Sequence, residues 1–291
     1  RSEPPPQRGP LPLSKIRRAL IRSMQSDTHS PNRYCRQTIW PELGPVGQQA
    51  LAKSRVLIVG GGGLGSWSSS LLVRAGVGTV RLVDDDRVSF DNLHRQALYE
   101  ESDARAGRPK AVAAAERLSR INTGGPVEAV EGRVGPGNVA ELADGCDLIV
   151  DGTDNFATRF LLNDYAVQSR TPWIFAGVVR CEAQTMTILP GRTPCLRCLL
   201  DGPPPASQNV TARTAGVLGP AVSTIASIQS VEAIKVLTGR LDRVNPYLLK
   251  IDLWTNRILH VDVGQACEGV ACPCCKERRF DFLGTSSGSS A

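Results

Sequence analysis

Five glycines fall within six positions, Gly60 to Gly65, and they come straight after the apolar run Arg55-Val-Leu-Ile-Val59. A strand that ends in such a loop can turn sharply, bring its backbone against a phosphate, and open a helix. Val80–Val83 predicts a second strand. It ends in Asp84-Asp85-Asp86, and a carboxylate there can accept hydrogen bonds from ribose hydroxyls. This spacing predicts a nucleotide-binding strand–loop–helix unit.

The rest of the chain supplies the sheet for that unit. Helices are expected at 63–75, 109–121 and 157–169, with strands at Asp147–Val150 and Trp173–Val179. Alternation of this kind implies a parallel sheet covered on both faces. Further on, Gln184–Leu189, Tyr247–Asp252 and Ile258–Val263 read as strands without a crossover helix between each pair, around one long helix near 220–238. The expected class is α/β, a Rossmann-like parallel sheet extended by antiparallel strands.

Cysteine spacing adds a second constraint. Cys195-Leu-Arg-Cys198 and Cys272-Pro-Cys-Cys275 are two C-x-x-C pairs far apart in sequence, the pattern of one tetrahedral zinc held by four thiolates. Cys274 lies inside the second pair, but the i, i+3 spacing favours Cys195, Cys198, Cys272 and Cys275. A four-thiolate zinc leaves no open coordination position, so its expected role is structural. Nine cysteines in total, an odd number, fit reduced thiols better than a secreted disulfide framework.

Charge excludes little beyond this. The net charge of +6 is carried by the first 36 residues, where eight Lys and Arg face two acids, and the remainder is balanced. Neither a nucleic-acid partner nor a membrane is expected, since no apolar run is long enough to span a bilayer. The expected location is cytoplasmic. Residues 1–32 read as a basic arm with a helix at 13–24, residues 33–280 as the main domain, and residues 281–291 as a flexible tail or linker.

The segments after the second strand separate ATP from NAD. Asp91-Asn92-Leu93-His94-Arg95-Gln96 and Gly107-Arg108-Pro109-Lys110 put cations and amides beside the phosphate loop, as transfer at phosphorus requires and hydride transfer does not. Asp154 and Asn155 stand at the end of a strand, within reach of Mg²⁺ or the adenosine.

Together these segments, with Arg33-Tyr-Cys-Arg-Gln37, Gly152-Thr-Asp-Asn155 and Ala215-Gly-Val-Leu-Gly-Pro220, resemble the ThiF/MoeB adenylyltransferases, relatives of the ubiquitin-activating enzymes. The resemblance covers about residues 33–278. It implies ATP-dependent adenylation of the C-terminal glycine of a ubiquitin-like or sulfur-carrier protein ending in Gly-Gly. By position it places Gly63 against the phosphates, Asp84 on the ribose, Asp91, Asn92, Leu93, His94, Arg95 and Lys110 at the nucleotide, Asp154 and Asn155 at Mg²⁺ or the nucleotide, and Arg36 on the ATP of the other subunit of a homodimer. Many relatives carry an acceptor cysteine where this chain has Ala212. Either the chain works without that thiol or the alanine replaces it. Two other readings stand beside this one: activation for a conjugation pathway through a downstream transfer enzyme, and a non-catalytic scaffold subunit.

Overall fold

The computed structural model describes residues 33–205 and 211–284. The helix expected at 13–24 lies outside them. The chain begins with a short helix α1 (Cys35–Thr38) and α2 (Gly44–Lys53). It then alternates: β1 (Arg55–Val59), α3 (Gly63–Ala75), β2 (Thr79–Asp84), α4 (Lys110–Ile121), β3 (Val127–Glu131), β4 (Leu148–Asp151), α5 (Phe156–Ser169) and β5 (Trp173–Val179). After β6 (Glu182–Ile188) comes the long α6 (Gly219–Leu237), and then β7 (Leu248–Asp252) and β8 (Arg257–Val261).

All eight strands form one sheet in the order β3-β2-β1-β4-β5-β6-β7-β8. The first five are mutually parallel, and β6, β7 and β8 are added antiparallel. Chain order reverses direction at β1, with β2 on one side and β4 on the other. In open α/β sheets a crevice for ligands forms beyond the strand ends at that point.

Burial explains why β1 and β4 are central. Val56, Leu57 and Ile58 are fully enclosed, as are Leu148, Ile149 and Val150. Strands covered on both faces need such uninterrupted apolar runs. One apolar cluster holds Leu57, Ile149, Phe160, Trp173 and Ile188, and a second holds Val56, Ile58, Leu72, Leu82 and Leu118. A third joins α3, α6 and β7 through Leu64, Val222, Ile225 and Ile251.

One buried polar residue ties these layers together. Gln229 of α6 is fully enclosed; its amide nitrogen donates to the carbonyls of Asp151 at 2.9 Å and Ile174 at 3.0 Å, and its oxygen accepts from Ser68 Oγ at 2.9 Å. An enclosed amide is tolerable only when satisfied in this way. The arrangement pins α6 beneath the end of β4.

Two differences from the sequence reading concern local pattern. Neither β3 nor α2 is expected from the residues alone. β3 reads Val-Glu-Ala-Val-Glu and is half exposed at the sheet edge, so it carries no apolar run, and α2 starts on a glycine and a proline. Of the tail expected at 281–291, residues 285–291 lie outside the described residues. Asp281–Leu283 form a turn packed on α5, where the Phe282 ring lies 4.8 Å from that of Phe160. Among the described residues no helix is long and apolar enough to cross a membrane.

Candidate active site and cysteine centre

Four helices, α3, α4, α5 and α6, begin at the same edge of the sheet, beyond the ends of β1, β2 and β4. Their partial positive ends give that edge a standing preference for anions. The glycine loop sits there because other residues do not fit. Gly60 has φ +91°, and a Cβ on Gly65 would lie 1.7 Å from the Gly60 carbonyl oxygen.

Asp84 braces the loop. Its Oδ2 accepts the Gly61 N–H at 2.6 Å, and its Oδ1 accepts the Asp86 N–H at 2.8 Å. Burial pushes its carboxyl above the usual range, while Lys110 and the two N–H donors pull it back. Tyr99 locks the other side, donating from its hydroxyl to the Gly61 carbonyl at 2.7 Å, and its own ionisation is driven far up by burial.

Lys110 opens α4. Its backbone N–H donates to the Asp86 carbonyl at 2.9 Å, and its ammonium pairs with the Asp86 carboxylate at 2.8 Å. Arg108, two residues earlier, is engaged elsewhere, by Asp103 at 3.0 Å and Glu116 at 2.7 Å. Of the two cations in that motif, Lys110 is therefore the one beside the loop.

The turn at 90–96 supplies a second cation. Arg95 donates to the Asp91 carbonyl at 2.6 Å and contacts the His94 ring at 2.9 Å. A Cβ on Gly63 would come 2.9 Å from Val222 and 3.9 Å from Arg95 Cγ, so Arg95 lies where α3 and α6 both begin. Leu93 is half buried and packs into the second core cluster. Asp91 is exposed, and a hydrogen bond from Ser89 holds its carboxyl below the usual range. Asn92 and Gln96 are both buried, and their side-chain oxygens have no partner among the described residues. Gln96 is not among the expected site residues, though its Nε2 lies 3.8 Å from where a Gly62 Cβ would be. Its place at the end of the Asp91–Gln96 motif is the available signal.

The Asp154 loop is held from below. Asp151 is fully buried and pairs with Arg159 at 3.1 Å, and it accepts from the Thr153 N–H at 2.8 Å and hydroxyl at 2.7 Å. Burial raises the Asp151 carboxyl, and Arg159 opposes the rise. Asp154 is exposed at the loop, and the Asn155 side chain caps α5 by accepting the Thr158 N–H at 2.9 Å. Asn155 thus has a structural duty alongside the expected one.

Arg36 lies elsewhere. Neighbouring Gln37 donates to the Ala75 carbonyl at the end of α3, and the Tyr34 hydroxyl accepts from Asn122 just past the end of α4. These are the far ends of the helices whose first residues line the crevice. At ~1.5 Å per residue they are ~20 Å long. Arg36 is thus about a helix length from its own Lys110. Ala212 begins a short helix, and the segment after it is clasped to the β5–β6 turn: Arg180 N–H to Gly216 O at 2.8 Å and Leu218 N–H to Arg180 O at 2.9 Å.

The two cysteine pairs meet beside α5, about one turn beyond Arg159, where the Asn163 side chain accepts the Leu196 N–H at 2.7 Å. Sulfur atoms of Cys195, Cys198, Cys272 and Cys275 lie within 4.8 Å of one another, with separations of 3.6 Å for Cys195–Cys272, 3.3 Å for Cys198–Cys275 and 3.9 Å for Cys195–Cys198. A tetrahedral ion at ~2.3 Å from each sulfur places them ~3.8 Å apart, so the donor set fits zinc. Hydrogen bonds from Cys198 and its neighbours hold Cys195 far below the normal thiol range, and Cys275 is pushed up to about 12 by its bond with Cys195. Cys274, beside the cluster but outside this set of four, accepts from the Asn163 amide at 3.4 Å. Buried Arg197 fastens the centre to the C-terminal segment through Asp281 at 2.8 Å and the Arg279 carbonyl at 3.1 Å.

Comparison with known proteins agrees with this geometry. The model of the ThiF family matches residues 34–274. The sulfur carrier protein ThiS adenylyltransferase of Bacillus subtilis is 40% identical over 259 residues, 89% of this chain and 76% of that protein. The SAMP-activating enzyme E1 of Haloferax volcanii is 39% identical over 230 residues, 79% and 84% of the two chains. Among solved structures, E. coli MccB with ATP superposes with a TM-score of 0.71 at 22% identity, covering 91% of this chain and 82% of that one, a likeness of fold. The chain belongs to the ThiF family and is an ATP-dependent adenylyltransferase.

Proposed function

We propose that this enzyme adenylates the C-terminal glycine carboxylate of a ubiquitin-like or sulfur-carrier protein ending in Gly-Gly. The observation that carries the reading is the 40% identity, over 89% of the chain, to a protein named for adenylating the sulfur carrier ThiS. A carboxylate oxygen attacks the α-phosphorus of ATP, the bond to the β-phosphate oxygen breaks, and pyrophosphate leaves with the displaced charge. Gly63 and the first turn of α3 receive the phosphates, Asp84 the ribose, and Lys110 and Arg95 the charge that grows on the leaving group. Preorganised cations act in this way without rearranging during the reaction. Asn92, with its unsatisfied oxygen, faces the same turn, and Asp154 with Asn155 is the set that would hold Mg²⁺ or the nucleotide. Asp91, Leu93 and His94 shape the segment that carries Arg95.

The four-cysteine centre would hold Zn²⁺ as a structural clamp between the 195–198 turn and the C-terminal segment. The distance of Arg36 from its own crevice supports a homodimer in which it serves the neighbouring subunit's ATP. Reduced thiolates suit a cytoplasmic setting. A second reading rests on the Haloferax relative, named as a SAMP-activating enzyme: the same adenylate would then pass to a conjugation pathway. A scaffold role is disfavoured, because Lys110, Arg95 and the braced glycine loop are all in place.

Pyrophosphate exchange into ATP, dependent on a small protein ending in Gly-Gly, tests the proposal. Arg95→Ala and Lys110→Ala should each lower exchange by about 10²–10³-fold while the fold is kept. Unchanged exchange in both variants would reject the assignment.

A further inference from the structure

Lys110 is nearly enclosed, with 6% of its side chain exposed, whereas the carboxylate it pairs with, Asp86, is 68% exposed. The other acids near this ammonium make no direct contact with it and are engaged by other donors, although Asp84 lies close enough to feel its charge. Asp84 spends both oxygens on backbone N–H groups, Asp85 pairs with Arg133 at 3.2 Å, and Asp91 accepts from Ser89. Tyr99 faces Lys110 through its hydroxyl, 3.3 Å from the Lys110 carbonyl. Asp86 is thus the side-chain partner of Lys110 among the described residues.

A pair with one well-solvated member is weak, worth a fraction of what an enclosed pair gives. The backbone beneath it is nevertheless fixed. Lys110 N–H bonds to the Asp86 carbonyl, and Arg87 bridges Pro109. The side-chain contact can therefore open and close without moving the scaffold. The acidic triplet at the end of β2 also places negative charge beside a loop built for phosphate, so any polyanion that enters must compete for the ammonium.

We propose that Asp86 is the counter-ion that Lys110 exchanges for phosphate, holding the ammonium in the empty crevice, ceding it to ATP and recapturing it as pyrophosphate departs. The inference rests on the crevice being an ATP site. Asp86 is a positioning residue, acting through Lys110 and not on the reacting atoms. It limits how tightly the product is held and lets each cycle begin with the lysine already aimed.

The test is calorimetric binding of ATP, inorganic pyrophosphate and adenosine to the full chain and to Asp86→Asn, Asp86→Glu, Lys110→Met and the Asp86→Asn/Lys110→Met double variant. Asp86→Asn should bind ATP and pyrophosphate about two- to five-fold more tightly, the span of a weak ion pair, with adenosine unchanged. Pyrophosphate should become a correspondingly stronger product inhibitor. Asp86→Glu should return affinity to that of the parent. In the Lys110→Met background most of the gain should vanish, because there is no ammonium to exchange. Weaker or unchanged ATP binding by Asp86→Asn would overturn the proposal. So would an equal gain with and without Lys110, which would mean plain repulsion. A parent chain that binds adenosine but neither ATP nor pyrophosphate would refute the phosphate crevice itself, and this proposal with it.

Discussion

Replacing Arg159 by methionine removes the positive charge that faces a carboxylate with no access to water. Asp151 is fully buried, and Arg159 is 8% exposed at 3.1 Å from it. The guanidinium also donates to the Thr153 carbonyl at 2.7 Å and the Ala176 carbonyl at 2.9 Å. Breaking a buried pair by deleting one partner costs about 3–5 kcal/mol, chiefly because the remaining charge is stranded. Against a total stability of roughly 5–15 kcal/mol this brings the variant close to unfolding. The pH dependence comes from Asp151. Its carboxyl is raised by burial, so the native state binds this proton more readily than the unfolded chain does. Its contribution is therefore most favourable at low pH and weakens as pH rises through the folded value. Arg159 opposes that rise, and without it the window extends upward. Urea denaturation should show the gap between Arg159→Met and the parent narrowing between about pH 8 and about pH 5. Adding Asp151→Asn should recover part of the loss at about pH 8 by removing the stranded charge. A cost below about 1 kcal/mol, or a gap independent of pH, would refute the account of Asp151 as a buried charge held by Arg159.

Two further outcomes concern the cysteine centre and the acceptor position. Cys275→Ser should lower the melting temperature and the zinc content measured by elemental analysis, while ATP affinity stays within about two-fold, since none of the four cysteines touches the residues that line the crevice; intact stability in a zinc-free variant would remove the structural role. The present chain should form a carrier–AMP adduct but no thioester at residue 212, because alanine is not a nucleophile. Ala212→Cys should add a thiol-sensitive adduct visible by intact mass. A reducible adduct already formed by the present chain would move the acceptor elsewhere, with Cys181 the first to examine, since it comes directly after the Arg180 clasp on residues 216–218.

Sequence disclosed the parts of this molecule whose physics is local. Val56–Val59 and its glycines announce a buried strand and a tight loop because neither other side chains nor water can take their place. The cysteine pairs announce a centre because metal ligands need short spacings. The features that stayed hidden depend on partners far along the chain. Gln229 reads as an ordinary helical residue until Asp151, Ile174 and Ser68 close around it, and Arg108 looks like a phosphate ligand until Asp103 and Glu116 claim it. β3 escapes notice because an edge strand with one half-exposed face has little apolar pattern to show. Arg36 lies between these cases. Resemblance picks the residue out, but only the fold shows that α1 is moored to the far ends of α3 and α4. An arginine side chain reaches about 7 Å and a twelve-residue helix spans about 18 Å. That distance supports the proposal that the ATP served by Arg36 belongs to another subunit.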